Sequence, residues 1–203
     1  MSQPPPRPLP LLPARLEHAR AFSTYLVAHG AESGKDGAPR FAIASGTSEA
    51  EIRDSAVERW SRRLDQPLWG RAWLLWSGPL PAAGPSGFFG ASPHVAGHLE
   101  LRGGRIKAEF HRAVLAIGLL APYRGQGLGR RLLDTAIAWA EDEAGLSYLD
   151  LGVFVGNDRA RKLYERVGFV VQGIRRDAFR VDGIVIDDIP MTLALRPRGP
   201  AGG

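Results

Sequence analysis

An apolar strand, a glycine-rich turn and an amphipathic helix follow one another between residues 106 and 145, and this succession constrains the fold most strongly. Residues 106–120, IKAEFHRAVLAIGLL, become almost continuously apolar towards their end, which is typical of a strand covered on both faces. Pro122 ends this strand. A helix is predicted from Leu128 to a stop near Gly145. Its apolar face consists of Leu132, Leu133, Ala136, Ile137 and Ala140.

The turn itself reads RGQGLGR, residues 124–130. Between a strand and a helix, free backbone N–H groups and the positive end of the helix dipole converge, and phosphates bind there readily. Gly125, Gly127 and Gly129 carry no side chain that would block a diphosphate. Arg124 and Arg130 add positive charge. The same string also suits a tight turn that needs positive φ, so alone it leaves both interpretations open.

Two other nucleotide-binding motifs fit this string poorly. A P-loop needs Gly-Lys-Ser/Thr, whereas Gly129 is followed here by Arg130 and Arg131. A dinucleotide-binding fold needs its third glycine at position 130 and an acidic residue at the end of the next strand. Position 130 is arginine, and Asp150 lies inside its predicted strand, which argues against that fold.

Strands and helices alternate on both sides of this unit. Ser48 and Glu51 form the pattern of a capping box at the start of one helix. The helices are predicted over residues 16–29, 49–64, 128–143 and from Asn157 or Asp158 to Val167. The strands are predicted over residues 71–77, 95–101, 106–120 and 146–155, followed by a tight hairpin at Asp182-Gly183. The long Pro/Gly-rich loop at 77–94 is expected to be mobile or functional. The fold class is therefore α/β (α+β) with a mixed sheet.

Length and composition favour one ordinary globular domain. At 203 residues we expect a single domain over 9–196, between a Pro-rich lead-in at 1–8 and a flexible tail at 197–203. No apolar run suits a membrane span, and the N-terminus lacks a signal-peptide pattern, so we expect a cytoplasmic protein. The absence of cysteine excludes disulfides, thiolate metal sites and a cysteine acyl-enzyme. The net charge is +5, but the basic residues are scattered through a chain that also carries 21 acids, which argues against nucleic-acid binding.

Two motifs together resemble the GNAT superfamily of N-acetyltransferases. The first is the turn with Arg124, Gly127 and Gly129. The second is an Asn...Ala...Leu-Tyr-Glu...Gly-Phe block, formed by Asn157, Ala160, Leu163, Tyr164, Glu165, Gly168 and Phe169. The resemblance implies a mostly antiparallel sheet of about six to seven strands around a β-turn-α-β-α unit, with helices on both faces. The closing hairpin is similar to the branch of ribosomal-protein, other peptide and small-amine acetyltransferases.

The resemblance also implies acetyl-CoA as co-substrate and assigns residues to it. Ile117, Gly118 and Leu119 would offer backbone groups to the pantetheine arm where two central strands splay apart, and Gly118 would suit a bulge there. Asn157 would hydrogen-bond the cofactor, although it also fits a plain helix cap. The pyrophosphate would be wrapped by Arg124, Gly125, Gln126, Gly127, Leu128, Gly129 and Arg130.

Acetyl transfer needs a neutral amine, a stabilised oxyanion and a proton for the departing thiolate. Without cysteine, direct attack in a ternary complex is favoured over an acetyl-enzyme. The resemblance places the general acid on Tyr164, whose phenol is protonated at neutral pH; an amphipathic core tyrosine is the alternative. The base is unassigned, because Gly152 stands where many relatives carry glutamate. Glu109 and His111, predicted on the central strand, are candidates, directly or through water; each also fits a surface or structural role.

The sequence thus predicts transfer of an acetyl group from acetyl-CoA to a primary amine on a small molecule or a peptide N-terminus. A catalytically inactive coenzyme A-binding sensor is the alternative, which Gly152 encourages. The acceptor is not readable, but the two N-terminal helices, the 77–94 loop and the closing hairpin should bound its site. The sequence leaves open whether two copies of the chain form a homodimer.

Overall fold

The computed structural model describes residues 8–35, 47–78 and 94–196. The helices of these residues are α1 (Ala19–Ala31), α2 (Glu49–Ser61), α3 (Leu128–Asp142) and α4 (Asp158–Val167). The strands are β1 (Leu11–Pro13), β2 (Gly70–Trp76), β3 (Val95–Gly103), β4 (Arg112–Leu119), β5 (Tyr148–Phe154), β6 (Val170–Val171), β7 (Arg175–Val181) and β8 (Ile184–Ala194). Short 3₁₀ turns cover Leu16–His18, Lys107–Glu109 and Ala121–Tyr123.

The described strands form one sheet in the order β1-β2-β3-β4-β5-β8-β6, with β7 also paired to β8. Neighbouring strands run antiparallel except for β4 and β5, which are parallel. The β4–β5 ladder holds three pairs and ends at Val114 and Asp150. Beyond that pair the two strands continue without pairing, as residues 115–119 of β4 and 151–154 of β5. This divergence, the splay, lies at the centre of the sheet.

Helices α3 and α4 cover one face of the sheet. The amphipathic pattern of α3 buries Leu132 and Leu133 completely, against strand residues such as Leu115 and Leu149. Along β4 and β5, successive side chains alternate between the faces, so the odd-numbered residues point towards α3 and α4. The large apolar core under these helices holds the β4–β5 pair in place.

Helices α1 and α2 cover the opposite face over β2 and β3. Phe22, Tyr25 and Ala56 of these helices are buried against Leu74 and Trp76. The even-numbered residues of β4, β5 and β8 belong to this second face. No helix within the described ranges has the length and apolar character that crossing a membrane requires.

Local patterns predicted most of these elements, with small shifts at their ends. The predicted helix over 16–29 is a 3₁₀ turn followed by α1, and the helix predicted to residue 64 ends at Ser61 because Arg62 is extended. Ser48 and Glu51 form the predicted capping box, with Glu51 N donating to Ser48 Oγ over 3.2 Å. Asp182 and Gly183 have φ of 51° and 77°, which confirms the tight hairpin.

Two predictions about the central strand are wrong. The strand begins at Arg112, not at residue 106, because Lys107–Glu109 forms a 3₁₀ turn. Glu109 and His111 therefore precede β4 instead of standing on it. The β3–β4 register also runs unbroken through His98 and Gly118, so Gly118 is not a bulge. Residues 79–93, most of the long predicted loop, lie outside the described residues, as do residues 1–7 and 197–203.

Candidate active site

The N-terminus of α3 presents bare main chain. Gly127 is its N-cap residue with φ of 78°, and Gly125 before it has φ of 83°. This left-handed backbone favours glycine. The first intrahelical bond runs from Arg131 N to Gly127 O at 3.2 Å, which leaves the preceding helical amides for a ligand. A Cβ built on Gly127 would meet nothing within 4 Å, so the space in front of the turn is open.

The predicted arginines of the turn direct their side chains elsewhere. Arg124 Nε donates to Leu119 O at 2.9 Å, and its guanidinium pairs with Glu32, the C-cap residue of α1. Arg130 Nε donates to Asp134 Oδ1 at 2.7 Å along the surface of α3. These partners hold both guanidinium groups, so the turn itself offers a ligand mainly backbone N–H groups.

Three further turn residues have identifiable local roles. Gln126 Nε2 donates to Pro122 O at 2.7 Å and closes the turn. Leu128 is the first residue of α3. A Cβ on Gly129 would come within 3.1 Å of Leu163 Cδ2, so glycine here permits close packing of α3 against α4. Glycine at 129 therefore serves helix packing, whereas glycine at 127 leaves open space.

Arg159 is a cation beside the turn that the sequence patterns did not single out. A Cβ on Gly125 would lie 2.8 Å from its Nη2, so the guanidinium reaches the turn from the first part of α4. Its side chain is exposed. The signal in the sequence is weak, because the contact joins two motifs that are far apart along the chain.

Ile117, Gly118 and Leu119 lie in the splay, as predicted. Ile117 and Leu119 pack against the core under α3. Gly118 faces the other side, where a Cβ would come within 2.8 Å of His29 Cε1 and 2.9 Å of Tyr25 Oη. Glycine at 118 is thus explained by the close approach of α1, and not by a bulge.

A group of buried aromatic and imidazole rings sits over Gly118. His98 Nδ1 and Tyr25 Oη are 3.0 Å apart, and the rings of Tyr25 and His29 stack with centroids 5.7 Å apart. Burial lowers the pKa of His29 to about 4 and that of His98 to about 3. Both imidazoles are therefore neutral at neutral pH.

Tyr164, the predicted acid, lies in α4 with 8% of its surface exposed. Its ring packs on Phe169 in a T-shaped contact with centroids 5.9 Å apart, within the core under α3 and α4. Burial raises the pKa of its phenol well above the ordinary value, so the proton is retained at every physiological pH. The ring therefore lies in the core, as expected of an amphipathic core tyrosine. Its phenol is protonated, as a general acid must be.

Asn157 caps α4: its Oδ1 accepts a hydrogen bond from Ala160 N at 3.3 Å. The helix-cap interpretation of Asn157 is therefore correct. Glu109 accepts from Arg105 N at 2.7 Å in the turn before β4. Because the glycine turn follows the other end of β4, Glu109 and His111 lie a whole strand away from it. Glu109 lines the cavity on the second face, so its role as the base stays a prediction.

A cavity of about 720 Å³ opens on the second face, beside α2 and the start of the splay. Val114, in the middle of β4, is 54% exposed there. Across the β4–β5 ladder, Arg112 Nε and Nη2 donate to the two carboxylate oxygens of Asp150 at 2.7 and 2.8 Å. Among its lining residues are Arg59, Arg62, Arg102, Arg105 and Arg112, opposite Glu58, Glu109 and Asp150. No group of His, Asp or Glu in the described residues is arranged to hold a metal ion.

This geometry agrees with the comparison to protein families. The model of the acetyltransferase (GNAT) family matches residues 49–169, which contain the splay, the turn, α3 and α4. The chain belongs to the GNAT acetyltransferase family. The predicted family and the mixed, mostly antiparallel fold with helices on both faces are confirmed.

Individual relatives match over shorter stretches. The N-alpha-acetyltransferase RimI of Mycobacterium tuberculosis is 42% identical over 74 residues, which are 36% of this chain and 44% of RimI. The uncharacterized N-acetyltransferase YycN of Bacillus subtilis is 46% identical over 52 residues, 26% of this chain and 33% of YycN. The chain thus matches less than half the length of these curated relatives.

Solved structures share the fold across almost the whole chain. A ribosomal-protein-alanine N-acetyltransferase from Brucella melitensis has a TM-score of 0.68 at 21% identity, covering 92% of this chain and 100% of that one. YncA from Salmonella typhimurium, solved with its cofactor acetyl-CoA, has a TM-score of 0.69 at 16% identity, covering 93% and 95%. At these identities the likeness shows the fold.

Proposed function

We propose that this chain transfers an acetyl group from acetyl-CoA to a primary amine by direct attack in a ternary complex. The observation that carries the proposal is the splay, with the open N-terminus of α3 at its end. A diphosphate at the amides of residues 125–130 and a pantetheine arm between β4 and β5 would place a thioester inside the sheet. The acetyl-CoA bound to YncA, which has the same fold, supports this choice of donor.

We place the two substrates on opposite faces of the sheet. The turn leads into α3, so the donor enters from the face that α3 and α4 cover. The cavity beside Val114 and Asp150 opens on the other face, where the acceptor amine has access to the splay. A ternary complex forms when both sides are filled, which suits direct attack in a chain without cysteine.

Two groups of the chain supply the chemistry at the thioester. Backbone N–H groups of β4 that lose their β5 partners beyond Val114 are donors for the tetrahedral oxyanion. The phenol of Tyr164, kept protonated by burial, donates its proton to the departing thiolate. A base on the other face of the sheet completes the proton transfers.

The charge of the cavity favours one class of acceptor. Its five arginines face three lining acids and the buried Glu100, which pairs with Arg59 and Arg102, so the excess of one positive charge disfavours a polycation over an amine flanked by neutral or acidic groups. A peptide N-terminus fits this description better than a polyamine. The name of the partly matching RimI, an N-alpha-acetyltransferase, points the same way. A spermidine N-acetyltransferase from Vibrio cholerae shares only the fold, at 18% identity.

The test is mass spectrometry of peptides with neutral or acidic N-terminal sequences, amino acids, aminoglycosides and spermidine after incubation with acetyl-CoA. We expect one added acetyl group on peptide N-termini and much less on spermidine. Acetyl-CoA binding without transfer to any amine would instead favour an inactive coenzyme A-binding module. Absence of acetyl-CoA binding would overturn the proposal altogether.

A further inference from the structure

A buried carboxylate, that of Asp188, lies on the acceptor face, and one of its oxygens accepts no hydrogen bond from the described residues. Asp188 of β8 has no exposed surface. Its Oδ2 accepts a hydrogen bond from Arg175 Nη2 of β7 at 2.5 Å. Its Oδ1 has no hydrogen-bond partner among the described residues. A buried carboxylate oxygen without a donor destabilises the folded protein, so this atom calls for a functional explanation.

The register of β5 and β8 places this oxygen at the splay. Asp188 pairs with Phe154, Pro190 with Gly152, and Thr192 with Asp150. Paired residues of antiparallel strands share a face, and Thr192 Oγ1 donates to Asp150 Oδ1 at 2.7 Å on the cavity side. Asp188 therefore lies on that same face. It stands beyond the last β4–β5 pair, where the two strands have parted.

Gly152 leaves room for the carboxylate. A Cβ on Gly152 would come within 2.5 Å of Asp188 Oδ1 and 2.8 Å of Oδ2. The carboxylate therefore occupies the volume that any side chain at position 152 would need. Gly152 itself is exposed, so the main chain next to this buried oxygen is open to solvent.

We infer that Asp188 Oδ1 binds the ammonium group of the acceptor at the splay and accepts its proton. This inference rests on the proposed acetyl transfer. The N–H bond of the ammonium breaks, the proton passes to the carboxylate, and the nitrogen lone pair forms the new bond to the thioester carbon. The adduct loses its second N–H proton as the C–S bond breaks, the thiolate takes the proton of Tyr164, and the proton released from nitrogen restores the Tyr164 phenol. Arg175 holds the other oxygen and fixes the orientation of the carboxylate.

The second candidate base is less suited to the step. His29 lies over Gly118 on the same face, and its imidazole is neutral at neutral pH. Its ring stacks on that of Tyr25, with centroids 5.7 Å apart. His98 is neutral as well, and its Nδ1 lies 3.0 Å from Tyr25 Oη. A carboxylate also attracts the ammonium ion electrostatically, which neutral imidazoles do not.

The first experiment compares Asp188→Asn with Asp187→Asn. Asp187 is the adjacent residue, pairs with Arg176 at 2.5 Å, and serves as the control for charge loss on this strand. With a peptide that the wild type acetylates, we expect kcat/KM to fall about 100-fold in Asp188→Asn, and within about threefold in Asp187→Asn. The acetyl-CoA Kd should stay unchanged in both.

A second set of variants separates chemistry from folding. Gly152→Glu alone should be impaired because its side chain meets the Asp188 carboxylate. Asp188→Ala alone should lose the base. The double variant Gly152→Glu/Asp188→Ala puts a carboxylate into the vacated volume from the neighbouring strand, and we expect it to recover at least about tenfold over Asp188→Ala. Melting temperatures identify the variants that fold.

Each outcome decides a different claim. Loss in Asp188→Asn with recovery in the double variant supports the inference. An active wild type with near-normal Asp188→Asn overturns the inference and leaves acetyl transfer standing. Loss without recovery in a folded double variant assigns Asp188 to structure and also overturns the inference. A wild type that acetylates no amine removes the proposed function and this base together.

Discussion

The guanidinium of Arg159 lies beside Gly125, while Arg124 and Arg130 are occupied by Glu32 and Asp134. We therefore expect Arg159→Ala to raise the acetyl-CoA Kd about tenfold, because a charge-assisted contact to the diphosphate is lost. The loss should shrink as salt is added. Arg161→Ala is the matched control, since Arg161 pairs with Glu165 on the same helix. Equal affinities of the two variants in a calorimetric titration contradict this role of Arg159.

Tyr164 can be tested by removing one oxygen atom. Tyr164→Phe keeps the ring and its contact with Phe169, so the melting temperature should hardly change. We expect kcat to fall about 100-fold because the thiolate loses its proton donor, with the acetyl-CoA Kd unchanged. Steady-state kinetics with a peptide acceptor provides the measurement. A kcat equal to that of the wild type would remove Tyr164 from the chemistry.

Sequence patterns identified the residues of the turn, but not the contacts of their side chains. The motif identifies Arg124, yet its partner Glu32 lies 92 residues away, directly after α1. Gly129 and Gly118 looked like ligand-facing glycines, and the structure shows them packed against other helices. Such contacts depend on how distant elements meet, which local spacing does not encode.

Helix α2 is joined to the sheet through one buried carboxylate, that of Glu100. Glu100 of β3 accepts hydrogen bonds from Arg59 and Trp60 of α2, both at 3.0 Å, and from Arg102 at 2.8 Å. Burial alone would raise the pKa of Glu100, but Arg102 and Arg59 outweigh this effect and hold the pKa below its ordinary value. The acceptor cavity lies against this joint.

Glu100→Gln should therefore lower the free energy of unfolding by about 3 kcal/mol, since two arginines lose a buried counter-charge. Glu58→Gln is the control, because its pair with Arg62 is a surface pair on one helix, with the Glu58 side chain 66% exposed, and should cost less than about 1 kcal/mol. Urea unfolding measures both variants. Similar losses in the two would show that Glu100 does not anchor α2.

The ends of the helices and strands depend on packing as well as on the sequence pattern. The apolar end of the predicted strand marked β4 correctly, but its polar first part, residues 107–109, forms a turn. The three-residue β1 contains Pro13 and carries no strand signal of its own; it exists because it pairs with residues 73–75 of β2. The family resemblance supplied the splay, which no periodicity of β4 or β5 specifies.

Two buried histidines make the protein's free energy of unfolding depend on pH. The pKa values of His29 and His98 are lowered by burial to about 4 and about 3, below the unfolded value of 6.5. Between these values the unfolded chain binds more protons, so stability is full above about pH 6.5 and is lost as the pH falls towards 4. The carboxylate shifts of Glu51, Glu100, Asp177 and Asp187 act at lower pH.

We expect the unfolding free energy to fall by about 2 to 3 kcal/mol between about pH 7.5 and 5.5, mainly from these two rings, with a smaller contribution of the same sign from His18. Urea unfolding at both pH values measures it. His29→Asn should remove roughly half of the pH dependence. A flat profile in the wild type contradicts the burial of neutral imidazoles.

In the proposed complex, the bare main chain at the start of α3 holds the cofactor. Gly127 and Gly145 stand near opposite ends of α3, both with positive φ, 78° and 61°, and both with open space at the Cβ position. Alanine strains the backbone equally at either site, but only at Gly127 does it project into the space for the diphosphate. The deciding measurement is a calorimetric titration of the two alanine variants with acetyl-CoA. We expect Gly127→Ala to weaken acetyl-CoA binding at least about 100-fold, and Gly145→Ala to bind like the wild type. Equal affinities in the two variants would contradict it.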